Sequence, residues 1–381
     1  DSGDYAWGER LLSEAVARGL DIGEIYHRKI GKGVTDFKSI FLSHRKMKSS
    51  GLLKKYFGGK YVQSLALVGK SASSTNVIVA YFGPGDEIRF ASLYPEMKAA
   101  CGKSNVKFTC DPRLHGLLQR SYPALEFHPV ERVRSLTWLP DYQNFDRLPG
   151  SDLFRHLDNA GCELVQSANK IILQLDALAD VVDDAETFRG VPYLRPDDEK
   201  VSEWQAKLSC FEGKYLVGLC WRSSLNTPVR SSGYLTPESL APLFGVPGLV
   251  YFNLQYGDHS EELDYINRNY PGRLITFDEL DTFNDLDGMA ALMTCLDLVI
   301  APATTVAELS GALGCKTLMF SSSSQNNWRE LPGEGLDLWH RSMKHVNVED
   351  KRQLPNVLAE EVLNLASLGR QRGPEPSAFP V

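Results

Sequence analysis

Residues 297–320 read DLVIAPATTVAELSGALGCKTLMF, and the fold follows from them. DLVIAP (297–302) is a short apolar run of strand length. TTVAELSGALG (304–314) has the small and apolar residues of a helix and stops at a glycine, after which KTLMF (316–320) returns to a strand. Strand, helix and strand in that order predict a parallel α/β sheet.

The same alternation extends upstream. YLVGLCW (215–221) reads as a strand, a helix follows TPESLAPLF, and LVYFNLQ (249–255) and LITF (274–277) are further strands before the helix GMAALMTCL (288–296). A second series starts at Asn76 with the strand NVIVAYF, the loop GPGDE and the helical stretch IRFASLYPEMKAAC. VKFTC (106–110), the helix RLHGLLQRSY (113–122) and LEFHPV (125–130) complete a βαβαβ run. Between the two series lie an apolar helix candidate around IILQLDALADVV and a linker expected at 195–212.

Residues 1–65 carry helical periodicity and many Lys and Arg (HRKIGKG, SHRKMKSSGLLKKYFGGK) without strand-like runs. They read as a helical extension, either packed on the next domain or available for contact with a protein partner. PNVLAEEVLNLASLG predicts the last helix, and the Pro, Gly and Arg of GRQRGPEPSAFPV a mobile tail. The expected division is therefore 1–65 helical extension, 66–205 N-terminal Rossmann-like domain, 206–368 C-terminal Rossmann-like domain and 369–381 tail. A chain of 381 residues is long enough for this, since single cores stop growing at roughly 250–300 residues.

The net charge of -7 gives no general attraction to phosphate backbones or anionic lipid, so nucleic acid is not an expected partner. No apolar stretch approaches the roughly 18–20 residues of a membrane helix, and DSGDYAWGERLL lacks the regions of a signal peptide, so a cytoplasmic location is expected. The seven cysteines are odd in number, scattered and never spaced as CxxC, which suggests reduced, mostly buried side chains rather than disulfides or a zinc site.

In open parallel sheets ligands bind beyond the carboxyl ends of the strands, so the loops after each strand are the candidates. In Gly83-Pro84-Gly85-Asp86-Glu87 the aspartate stands at a helix start, either as an N-cap or as a general base taking a proton from a hydroxyl. Trp221-Arg222-Ser223-Ser224, followed by Arg230-Ser231-Ser232, offers guanidinium forks and hydroxyls suited to phosphate oxygens, or else an ordinary polar turn with Arg222 in a surface salt bridge. Gln255, Tyr256 and Gly257 end a strand with an amide, an aromatic and a glycine able to hold a nucleobase.

The fourth loop, Ala301-Pro302-Ala303-Thr304-Thr305, opens a helix. Its threonines cap the helix or, with the free N–H groups, bind an anion. Glu308, one turn further, is either a solvated helix residue or an acceptor for ribose hydroxyls. Absences narrow the choice. There is no GxxxxGK[ST], the GxG at 83–85 is followed by Ile88 rather than a third glycine, and neither GxSxG nor HExxH occurs. P-loop NTPases, nicotinamide enzymes and common hydrolases are disfavoured. Asp281, Asp285 and Asp287 are expected to flank the loop before GMAALM rather than bind a metal.

NVIVAYFGPGDEIRFASLYPEMK and TCDPRLHGLLQRSYP resemble the N-terminal half of bacterial heptosyltransferase-like proteins, especially those attached to tetratricopeptide repeats. VGLCWRSS, YFNLQYGD and DLDGMAALMTCLDLVIAPATTVAELSGALGCKTLMF resemble their C-terminal donor-binding half, and the similarity spans roughly residues 76–345. The resemblance implies a GT-B fold, two Rossmann-like domains facing a central cleft, here with an N-terminal helical extension. It implies an inverting glycosyltransferase that needs no metal or other cofactor and uses a nucleotide-sugar as donor. Asp86 stands at the position of the family's catalytic base. Ser223, Ser224 and Arg230 match phosphate positions, and Gln255 and Gly257 lie nearer the base.

Two positions depart from the family form: Ala303 stands where an Asp is expected, and Glu308 where a His is expected. A non-catalytic nucleotide-sugar-binding or scaffold protein is therefore the alternative, and a sugar epimerase of the same shape a further one. The acceptor is a glycan of a surface polysaccharide or capsule precursor, a lipid-linked glycan or a protein hydroxyl, with no residue choosing among them.

Overall fold

The computed structural model describes residues 14, 18, 37–45, 48–132, 150–154, 156–224, 233–322, 329–331, 333–348 and 350–372. The chain forms two compact α/β units. The first comprises Asp1–Arg195 with Gln325–Glu334 and Leu338–His340, the second Pro196–Ser324, Gly335–Asp337 and Arg341–Val381. Among the described residues no helix is long and apolar enough to cross a membrane.

In the first unit, helices α1 (Phe37–His44) and α2 (Lys48–Phe57) precede strand β1 (Thr75–Val79), α3 (Pro84–Ala91), α4 (Tyr94–Ala100), β2 (Asn105–Cys110), α5 (His115–Ser121), β3 (Glu126–Pro129), α6 (Asn159–Ser167), β4 (Lys170–Leu173) and α7 (Gln174–Val181). The four strands are parallel in the order β3-β2-β1-β4. Val77, Ile78 and Val79 are all buried, as a central parallel strand covered on both faces requires.

Three expectations change here. GPGDE is mostly not a loop: Gly83 is the N-cap, Pro84 fills the first helical position where no N–H is needed, and Asp86 already lies in the first turn of α3. The helix expected to run on to Cys101 breaks at Leu93, so that Pro95 falls in the first turn of α4, where its missing N–H costs nothing. IILQLDALADVV is also not one helix. Its first part is the end of β4, with Ile171 and Ile172 opposite Val77 and Ile78, and α7 starts directly after it. An apolar run of this kind fits strand and helix equally by periodicity.

Described residues between Phe37 and Leu65 pack on this edge. Phe37 meets the Phe188 ring edge-on at 5.4 Å. Arg45 donates to Asp180 Oδ1 at 2.7 Å, Tyr61 hydroxyl bonds to the buried Asp176 carboxylate, and Val62 N donates to Ile171 O at 2.9 Å.

The second unit opens with α8 (Asp198–Leu208), then β5 (Tyr215–Leu219), β6 (Leu249–Asn253), α9 (Ser260–Asn269), β7 (Leu274–Ile275), α10 (Leu286–Thr294), β8 (Leu298–Pro302), α11 (Thr305–Ala312), β9 (Thr317–Ser322), β10 (Met343–Val348) and α12 (Leu354–Arg372). The sheet is parallel in the order β10-β9-β8-β5-β6-β7. Counted within the unit this is 6-5-4-1-2-3, the Rossmann order read from the other edge. β10 has no counterpart among the expected strands, because MKHVNV alternates polar and apolar residues as an edge strand does. The segment expected as a linker holds α8, fixed to this unit by Trp204 on the Phe277 ring (4.8 Å) and by Lys207 to Glu279 at 2.9 Å. TPESLAPLF itself forms a 3-10 turn (Pro237–Leu240) and one helical turn (Ala241–Phe244). The expected tail lies outside the described residues beyond Arg372.

Three cysteines are buried, three half-buried and Cys210 is exposed, all of them free. Gly218, in the central strand β5, sits where a Cβ would come within 2.4 Å of Leu254 Cδ1 and 2.9 Å of Leu296 Cδ1. Gly218→Val should cost about 1–3 kcal/mol by overpacking. The expected result is a lower urea midpoint with an unchanged slope; an unchanged midpoint would show that both leucines can move aside.

Candidate functional site

The order of the second sheet creates a switch point between β5 and β8, from which the chain proceeds to opposite edges. The loops leaving these strands flank it. After β5 comes Trp221-Arg222-Ser223-Ser224, and its shape is set by Gln255 from the end of β6. The Gln255 carboxamide oxygen accepts from Trp221 N (3.1 Å) and Arg222 N (3.0 Å), while its Nε2 donates to Arg222 O (2.9 Å) and Tyr256 O (3.0 Å). The residue is 0% exposed. Its polar edge is used up by main chain, so the expected contact with a nucleobase is replaced by a latch between two loops.

Arg222 is likewise engaged. Nε bonds both carboxylate oxygens of Glu262 at 2.8 and 2.9 Å, Nη2 reaches Glu262 at 2.7 Å and Asp258 O at 2.7 Å, and Trp221 Nε1 joins the same carboxylate at 3.1 Å. The salt-bridge alternative holds for Arg222, but in a half-buried, bidentate form that fixes the loop to α9 rather than a loose surface pair. Ser223 is buried and accepts from Tyr256 Oη at 3.2 Å. Burial pushes the Tyr256 phenol up to about 12, so it keeps its proton as a donor at neutral pH. Ser224 is exposed, and Gly257 lies against it with φ +74°, where a Cβ would stand 3.1 Å from Ser224 Cβ. Both the left-handed backbone and the close approach ask for glycine. His259 donates from Nδ1 to Gly257 O (2.6 Å) and accepts at Nε2 from Asn253 Nδ2 (3.1 Å), closing the far side of the β6 loop. Arg230 lies outside the described residues.

After β8, Thr304 occupies the N-cap position of α11, yet its hydroxyl does not cap: Oγ1 donates to Pro302 O at 3.1 Å. The simple capping alternative for Thr304 is thus not what the structure shows: its side chain makes no bond to the first turn of α11. Thr305 is half-buried at the first helical position and Ala303 is exposed beside it. Glu308 is 4% exposed, which overturns its description as a solvated helix residue.

In the first unit Asp86 stands in the first turn of α3, one turn before Arg89. Its carboxylate, 40% exposed, pairs with Arg89, whose side chain is 9% exposed and lies over the Phe90 and Trp339 rings. The N-cap alternative for Asp86 fails because Gly83 occupies that place. Next to it the structure shows a buried charge network that loop reading missed. Glu87 Oε2 accepts from Arg132 Nη2 at 2.6 Å, and Asp111, 3.6 Å from Arg132, is gripped by Arg113 Nε and Nη2, each at 2.9 Å. Burial raises Glu87 while Arg132 opposes it. At Asp111 burial is outweighed by the bonds and charge of Arg113 and the charge of Arg132, and the carboxyl is held below its usual range. The signal was present as Glu87 directly after Asp86 and as the strand-end sequence Cys110-Asp111-Pro112-Arg113.

No family model matches the chain. Protein FlbA of Caulobacter vibrioides is 28% identical over 268 residues, 69% of this chain and 41% of FlbA. The chain thus spans about two fifths of the length of that curated relative. Among solved structures, the Escherichia coli ADP-heptose LPS heptosyltransferase II is similar over 77% of this chain and 99% of its own, with a TM-score of 0.48 and 15% identity. A family 9 glycosyltransferase of Veillonella parvula is similar over 79% of this chain and 98% of its own, with a TM-score of 0.49 and 13% identity.

Proposed function

We propose that the chain is an inverting, metal-independent, cytoplasmic glycosyltransferase that moves a sugar from a nucleotide-sugar to a hydroxyl of a glycan, a lipid-linked glycan or a protein. The observation that carries this reading is the second unit's switch point: a sheet in Rossmann order whose β5 and β8 loops are braced for a ligand, one by Gln255 and Glu262, the other by a helix start without a side-chain cap. A helix start whose N-cap side chain leaves the first-turn N–H groups to other acceptors, and whose dipole end is positive, suits a diphosphate. Ser224, Thr305 and Arg230 are assigned to the phosphates, Tyr256 and Gly257 to the base side, and Glu308 to the ribose. Arg222 and Gln255 hold together the two loops that carry Ser224 and Tyr256-Gly257.

In the first unit Asp86 serves as general base. It accepts the proton of the acceptor hydroxyl as that oxygen bonds to the anomeric carbon, and the nucleoside diphosphate departs with the electrons of the cleaved bond. Charge growing on the leaving phosphate is stabilised by fixed dipoles. Ala303 and Glu308 keep a second reading in play, a nucleotide-sugar-binding protein without turnover.

A thermal-shift panel of UDP-N-acetylglucosamine, UDP-glucose, GDP-mannose and ADP-heptose tests the site. A ligand at one hundred times its Kd stabilises the folded state by about 2.7 kcal/mol, well within detection. No shift with any of them would remove the donor site; a shift with no release of nucleoside diphosphate in the presence of acceptor extracts would favour the binding protein. Arg230→Ala should weaken donor binding by about 10–100-fold, the worth of one charged hydrogen bond. An unaltered titration would exclude Arg230 as a phosphate ligand.

A further inference from the structure

The Glu87–Arg132 pair is shut away from water, with side chains 0% and 4% exposed, beside a carboxylate that water reaches. Packing alone does not explain it. Removing two charges from water is costly, and apolar residues of similar volume commonly serve as well or better in such a place. What apolar residues cannot do is bind main chain, and both members of this pair do so. Arg132 Nη1 donates to Phe82 O at 2.9 Å, in the turn that leaves β1 and leads into the Gly83 cap. Glu87 Oε1 accepts from Asp111 N at 2.8 Å, the first residue after β2. Arg132 itself follows β3. Three consecutive strand-end loops are therefore tied at one buried point, one residue along the helix from Asp86.

We infer that Glu87 and Arg132 are a positioning pair, which fixes the Phe82–Asp86 turn against the tips of β2 and β3 and so sets where the Asp86 carboxylate stands. This rests on the reading of Asp86 as the base. Displacing a reacting group by about 1 Å is enough to cost on the order of 10²-fold in rate, so a loosened turn would act on chemistry rather than on binding.

The test uses the whole chain and the double variant Glu87→Met with Arg132→Met, which keeps the volume and leaves no buried charge unmatched, whereas a single variant strands one charge in the interior. Amide hydrogen exchange comes first because it needs no ligand. The expected result is exchange about tenfold faster or more across residues 80–90, with the β5 and β6 peptides unchanged. Turnover is then read as nucleoside diphosphate release from the panel member that binds: kcat should fall about 10²-fold while donor Kd stays as in the parent chain. Unchanged exchange at 80–90, or unchanged kcat in a chain whose Asp86→Asn variant is inactive, would overturn the pair's role and leave the base intact. An Asp86→Asn variant that keeps its turnover would instead remove the base, whatever the exchange shows.

Discussion

Asp86→Asn should lower turnover by about 10²–10⁴-fold, the usual worth of a general base, with donor affinity unchanged. Asparagine is the informative substitution because it keeps the shape and one oxygen acceptor for Arg89 while removing the charge and with it the ability to take a proton. Asp86 lies in the first turn of α3 and its ion-pair partner among the described residues, Arg89, is on the same helix, so the substitution should leave the sheet and its buried network as they were. A fall in both kcat and donor affinity would mean that the fold had been disturbed. Full turnover would eliminate Asp86 as the base and shift attention to the remaining carboxylates at the strand ends, of which Asp111 is committed to Arg113 and Glu87 to Arg132.

The two α/β series were legible because buried parallel strands read as short apolar runs and their helices as longer periodic ones. Where the two patterns coincide, as at Ile171-Ile172-Leu173, sequence could not choose, and the strand was decided by pairing with Asn76–Val79 from a distant part of the chain. The loops after β5, β6 and β8 were found directly beyond the strand ends, whereas GPGDE after β1 lies mostly in α3. The roles of individual side chains were less legible. Gln255 and Arg222 have the chemistry of ligand-binding residues, but their partners, Glu262 and the main chain of the facing loop, lie 33–40 positions away and are invisible to spacing. Glu308 had two readings, a solvated helix residue or a ribose acceptor, and only the three-dimensional packing of α11 shows that it is buried. The network of Glu87, Arg132, Asp111 and Arg113 was missed for the same reason, as its members come from α3 and from the segments after β2 and β3.

The Gln255 latch gives the largest structural effect expected in the second unit. Gln255→Leu keeps the volume of the side chain but removes one acceptor shared by Trp221 N and Arg222 N and one donor shared by Arg222 O and Tyr256 O. Each buried polar group left unpaired costs about 1–3 kcal/mol, and water can reach the half-buried Arg222 and Tyr256 once the loop opens, so the total should be about 2–4 kcal/mol. At roughly 2–4 °C per kcal/mol for a unit of this size, the melting temperature should drop by about 5–15 °C. Donor binding should weaken with it, because the β5 loop carrying Ser223 and Ser224 and the β6 loop carrying Tyr256 and Gly257 are no longer held together. The two effects separate the latch from a ligand contact. If Gln255 touched the nucleobase, its loss would weaken donor binding and leave the melting temperature of the free protein where it was. That combination, measured by thermal shift with and without donor, is the result that would refute the latch.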